Sequence, residues 1–194
     1  LKIINKLFEI EFKKRAFILV SIIFVGVLIL YLNYEKPQRI SIEDLKKQSA
    51  LALKQGGKNI VGKFKVDGIT DEYAIINGNS QSDLMKGVGM RKDSILPINN
   101  GVIFLEGHRE SVGYNYDDLC EENTINVYLK QYNKTYKYKM IDKVVVKSNN
   151  EEYKVYNKIQ EKNKKYIVLL TCYPTKEKSL NPTKRLAIIG ELFN

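Results

Sequence analysis

The sequence predicts a mainly β domain, an antiparallel barrel or sandwich, carried behind an apolar N-terminal helix. Three observations predict it. Short β-like runs recur from residue 59 onward, turn signals separate them, and no long amphipathic helix interrupts them.

The elements follow in order. Residues 1–15 close on Lys13-Lys14-Arg15 and are read as a cytoplasmic N-terminal segment. Residues 16–32, AFILVSIIFVGVLILYL, carry no charge. As a helix this stretch spans roughly 25 Å, near the lower limit for a bilayer. The basic cluster places its near end in the cytoplasm, and Tyr31 and Tyr34 suit the far interface. NYEKPQR follows in place of a small-x-small cleavage site, so an uncleaved single-pass signal anchor is expected, with the domain outside the cell.

Residues 33–58 read as a juxtamembrane linker with Pro37 and one short helix. Ser41 supplies the N-cap, Glu43 and Asp44 the acidic first turn, and Gly56-Gly57 the end. Ile42, Leu45, Ala52 and Leu53 would share its buried face.

Residues 59–194 form the β domain. Strands are expected at 59–66, 73–76, 101–107, 124–130, 134–147, 165–172 and 185–193. Asp67-Gly68, Asn77-Gly78, Asn99-Asn100-Gly101 and Asn149-Asn150 punctuate them. One helical turn is expected over 82–88. The Tyr/Lys alternation at 136–139 marks a half-exposed strand whose tyrosines pack and do not stack on bases.

The net charge is +10; residues 1–36 hold six Lys/Arg against three Glu, leaving +7 on the rest. The scattered lysines read as a solvated basic surface, with attraction to an anionic membrane or wall polymer as the sharper alternative. No nucleic-acid motif accompanies the charge, so no such partner is expected. A single histidine excludes a zinc site built on several histidines. No cofactor is expected, although Asp117, Asp118, Glu121 and Glu122 leave calcium open. Two cysteines can pair outside the cytoplasm, but their surroundings differ. Cys120, in the acidic stretch DDLCEEN, reads as incidental.

Cys172 closes an apolar strand and faces a basic loop, which favours a thiolate. Arg185 opens the following strand; if the two strands are antiparallel neighbours, Cys172 and Arg185 share one rim. His108 lies just past another strand and reaches that rim if its strand runs parallel to the Cys172 strand. The period of two sets Cys172 with Leu170 and Val168, and Thr171 on the opposite face. A thiol, an imidazole and a guanidinium together support acyl transfer through a thioester. The rival reading makes Cys172 a buried small residue and Arg185 a strand-edge charge.

Gly107-His108-Arg109, a strand ending Leu169-Leu170-Thr171-Cys172, and then Arg185 resemble the sortase signature. The resemblance covers about 60–194 and includes GNSQSDLMKGVGM, Gly78 to Met90; the continuation TCYP is most similar to the class D branch. It implies a closed eight-stranded β-barrel, and a membrane-anchored transpeptidase of Gram-positive bacteria. Cys172 would be the nucleophile, His108 the general acid/base, Arg185 the oxyanion residue and Thr171 a substrate-binding residue. The implied partners are proteins bearing an LPxTG-like sorting signal, cut between Thr and Gly. The acceptor would be an amine on a peptidoglycan precursor, and the enzyme is expected to act as a monomer. A pilin-polymerising enzyme and a non-catalytic anchored barrel for adhesion or assembly stay open. The 40–57 stretch lacks an Asp-Pro-aromatic lid, which weighs against the pilin variant. Met90, Glu106, Val66-Asp67 and the loop Thr175 to Lys184 depart from the family pattern.

Overall fold

The structure, a computed structural model, describes residues 2–32, 39–147, 155, 159, 163–176 and 182–193. Tyr34, the Pro37 spacer and the Asn149-Asn150 turn lie outside the described residues. The chain divides into two compact units, Leu1–Gln38 and Arg39–Asn194. The first is helix α1 (Lys2–Leu32), in which Lys13–Tyr31 has a mean hydropathy of 2.1 and is long and apolar enough to cross a membrane.

The second unit opens with helix α2 (Ile42–Gln55). The Ser41 hydroxyl accepts the Asp44 N–H at 3.1 Å, satisfying one orphan donor of the first turn. Gly56, at φ 63°, ends the helix in the left-handed region, where a Cβ would be strained. Leu45 is buried as expected, and so is Ser49, whose hydroxyl accepts the Ala74 N–H. That bond explains a polar residue on the apolar face: it satisfies a buried backbone donor.

Eight strands follow: β1 (Ile60–Val66), β2 (Tyr73–Asn77), β3 (Val88–Met90), β4 (Gly101–Glu106), β5 (Thr124–Leu129), β6 (Lys134–Lys147), β7 (Lys165–Tyr173) and β8 (Lys184–Leu192). They close into a barrel in the order β1-β2-β3-β4-β7-β8-β6-β5. Seven match the sequence expectation within a residue or so at their ends. The eighth, β3, falls at the end of the 82–88 stretch expected to be a helical turn. The turn itself is the shorter α3 (Gln81–Leu84), begun by a capping box between Ser80 and Asp83, and the chain is extended again by Val88.

The pairing is not wholly antiparallel. Six neighbouring pairs are antiparallel, while β2–β3 and β4–β7 are parallel. A parallel pair needs a long crossover, and β5 with β6 supplies it between β4 and β7. Ile103, Leu105, Ile167, Leu169, Leu186 and Ile188 belong to the larger core cluster with residues of β1, β2 and β5. The alternate residues Phe104, Val168, Leu170, Ala187 and Ile189 form a second apolar layer with Val146 and Val155. The β4–β7–β8 ladder is therefore buried on both faces.

Candidate active site

Strand register brings the predicted residues together. Cys172 and Arg185 are direct partners across the antiparallel β7–β8 pair. On the other side of β7, β4 runs parallel with Glu106 opposite Leu170. The Gly107 N–H continues that ladder to the Leu170 carbonyl at 3.1 Å. Two residues beyond Glu106, His108 arrives beside Cys172. Both geometric conditions set by the sequence are met, and all three residues line one cleft of about 180 Å³ with Leu84, Glu106 and Leu170.

The His108 segment is locally fixed. Its carbonyl accepts the Ser111 N–H at 3.1 Å and the Gly113 N–H at 3.0 Å, so the chain turns sharply past the imidazole. Gly113 must be glycine for that turn to seat: a Cβ would lie 2.3 Å from Thr171 Oγ1. The Thr171 hydroxyl donates to the Gly107 carbonyl at 2.9 Å and is buried. Thr171 lines the cleft, but its hydroxyl is committed to holding the His108 approach onto β7.

The electrostatics bear on one expectation. The sequence reading has a basic loop beside Cys172 favour the thiolate; residues 177–181 of that loop lie outside the described residues. Burial instead pushes the thiol above its ordinary value of 9.0, against the downward pull of Arg185 and Arg109; Glu110 and Glu106 add to the rise. Desolvation exceeds the pull of two cations because two carboxylates oppose them. Burial likewise lowers His108 below 6.5, with Glu110 pulling the other way. Burial thus disfavours both charged forms, the thiolate of Cys172 and the imidazolium of His108. His108 Nε2 is buried with no hydrogen-bond partner among the described residues, leaving it available as a proton acceptor.

Arg185 is half-buried, its Nη1 donating weakly to the carbonyls of Lys184 at 3.3 Å and Pro182 at 3.5 Å. Glu106, a departure from the family pattern, accepts from Asn79 Nδ2 at 2.9 Å and faces Arg91 Nε at 3.8 Å. Its charge is thus held on the cleft wall. Cys120 and Cys172 are both free thiols. In the acidic stretch, Asp118 pairs with Lys176 at 2.9 Å and Asp117 accepts the Thr175 hydroxyl.

Sequence reasoning gave Arg109 no role beyond its place in the Gly107-His108-Arg109 signature, yet the residue is only 1% exposed and its guanidinium donates to the Pro174 carbonyl at 3.1 Å. The only signal was its place beside His108.

The family model described as the Sortase domain matches residues 64–193. The chain is 32% identical over 133 residues to Sortase D of Bacillus subtilis (strain 168), covering 67% of this chain and 62% of that protein. The match thus spans less than two thirds of the relative's length. Among solved structures, Pilus Island 1 Sortase C2 of Group B Streptococcus superposes with a TM-score of 0.59 at 20% identity, over 80% of this chain and 100% of that one. A Clostridium perfringens Sortase D5 transpeptidase gives a TM-score of 0.58 at 20% identity, over 80% and 91%. These structures share the barrel fold. With the family model spanning most of the barrel, the chain belongs to the sortase family and fits its class D branch.

Proposed function

We propose that this protein is a membrane-anchored cysteine transpeptidase that cleaves an LPxTG-like sorting signal between Thr and Gly and joins the product to an amine. The cross-strand pairing of Cys172 with Arg185, with His108 just past the end of the adjacent parallel strand and lining the same cleft, carries the reading. His108 takes the Cys172 proton, and the sulfur attacks the threonine carbonyl carbon to form a C–S bond. The carbonyl electrons move to oxygen, where Arg185 stabilises the negative charge. As the oxyanion collapses, the Thr–Gly C–N bond breaks and His108 returns the proton to the leaving glycine amine. An acceptor amine then attacks the thioester carbon and His108 takes its proton; the C–S bond breaks as the new amide forms, and His108 passes that proton to Cys172, which leaves as the thiol.

Thr171 serves this site from beneath, by holding Gly107 and lining the cleft, a different emphasis from direct contact through its hydroxyl. The acceptor is an amine of a peptidoglycan precursor, and the protein acts as a monomer at the outer membrane face, held by the Lys13–Tyr31 span. Every bond change is served by His108, Cys172 and Arg185, so no cofactor is assigned. Asp117 and Asp118 are engaged by Thr175 and Lys176, which favours a tied acidic loop over a calcium site.

The test uses the full chain in detergent micelles with a fluorogenic LPxTG-like peptide and an added amine. Wild type should release the glycine fragment, yield the amine-coupled product and show an acyl adduct on Cys172 by intact mass. Cys172→Ala should lose all three. Cleavage retained in that variant ends the assigned mechanism.

A further inference from the structure

We propose that Arg109 is a positioning residue, whose buried guanidinium fixes the chain just past His108 to the chain just past Cys172. The inference rests on the proposed roles of those two residues. A fully buried arginine is uncommon, and desolvating a guanidinium is costly, so its retention calls for a use beyond packing. Here the head group donates through Nη1 to the Pro174 carbonyl at 3.1 Å and through Nε to Glu110 at 3.4 Å. Pro174 follows Cys172 by two residues, and Glu110 follows His108 by two.

The bond to Pro174 is one of several ties, among the described residues, between the chain around His108 and the chain around Cys172. Thr171 donates to Gly107, Thr175 to Asp117, and Lys176 pairs with Asp118. Arg109 is the tie that brings a positive charge into the buried layer between them. Cys172 is faced by Arg185 from β8, by Arg109 and Glu110 from the segment after β4, by Glu106 from β4, and by His108 beside it. Arg109 thus balances one of two nearby carboxylates while setting the spacing of thiol and imidazole. Lysine cannot reproduce this, because it is a point charge without the planar fork that reaches two acceptors.

The experiment uses the full chain in detergent micelles with Cys120→Ser as background, so that Cys172 is the one reporting thiol. Iodoacetamide capture of Cys172 is followed against pH by mass, and peptide cleavage gives kcat and KM. For Arg109→Gln the capture midpoint should rise by about half a pH unit or more, the response to losing a nearby positive charge. Its kcat should fall about tenfold or more with KM within about threefold, the pattern of a lost transition-state arrangement. Arg109→Lys should restore the midpoint but only part of kcat. A folded Arg109→Gln with unchanged midpoint and kcat overturns the proposal, as does activity falling only in proportion to folded protein. Should Arg109→Gln not fold, Arg109→Lys decides: reduced kcat at an unmoved midpoint supports the role, and wild-type kcat removes it. Because capture needs no peptide, a chain that shows the midpoint shift but cleaves no sorting peptide defeats the substrate reading and leaves the positioning role standing.

Discussion

Strands β6 and β7 lie on either side of β8 in one barrel, yet they meet solvent differently. β7 is buried on both faces from Tyr166 to Thr171, whereas exposed and covered residues alternate along β6. The outward residues of β7 are covered by a layer that includes Val155 and Ile159. At its C-terminal end the doubly buried strand emerges at Cys172, partly covered and paired with Arg185 on β8, two residues past the last rung of the β4 ladder. The strand with an open face carries lysines; the closed strand ends in the cysteine proposed as nucleophile. The proposed chemistry would then sit where the frame is most constrained, as preorganisation requires.

The largest way to break this contrast is at the emerging end of the closed ladder. His108→Ala should lower peptide cleavage by about 10²–10⁴-fold, the usual worth of a general acid/base, with the thermal midpoint little changed. The pH profile of kcat/KM sharpens the same point. Burial lowers His108, so the acidic limb, where the imidazole gains its proton, should fall below 6.5. Burial raises Cys172, so the alkaline limb should lie above 9.0, leaving a broad plateau between. An acidic limb above 6.5 would show that Glu110 outweighs burial at His108.

Much of this was legible before any coordinates. KYIVLLTC reads as an apolar, buried strand and the Tyr/Lys alternation at 136–139 as a half-exposed one, because burial is written as a run or as an alternation. The shared rim of Cys172, Arg185 and His108 was legible on two conditions, an antiparallel β7–β8 pair and a parallel β4–β7 pair, and both hold. What escaped depended on distant partners. β3 has three residues, too few for a period to register. Arg109 looks like a surface charge until the Pro174 carbonyl, 65 residues away, arrives beside it. Ser49 sits on an apolar helix face because Ala74 needs an acceptor. The upward direction of the thiol escaped because a basic neighbour is visible in sequence and desolvation is not.

The contrast should also appear in stability. Val168 on β7 is fully buried, and Val145 on β6 is 42% exposed. Val168→Ala removes two buried carbons and leaves a cavity between two packed layers, costing about 2 kcal/mol. Val145→Ala should stay within about 0.5 kcal/mol, as surface changes usually do. Urea unfolding of both variants reads the difference as a shift in midpoint at constant slope. Equal shifts would mean that the outer layer on β7 is not closely packed.

The smallest effect is expected on the open face of β6. Lys137 is exposed, opposite Asn126 on β5, and its neighbours along the strand, Tyr136 and Tyr138, point into the core. Lys137→Gln removes one charge from a chain of net +10 and leaves the ladder intact. A single solvated charge is screened within about a Debye length, roughly 8 Å at physiological salt, so peptide turnover should stay within about twofold of wild type. The measurement is kcat/KM at low and physiological salt. A several-fold loss confined to low salt would mean that this face steers a charged substrate toward the cleft. A loss that persists at physiological salt would place part of the binding surface on β6, and the division of labour between the two strands would have to be redrawn.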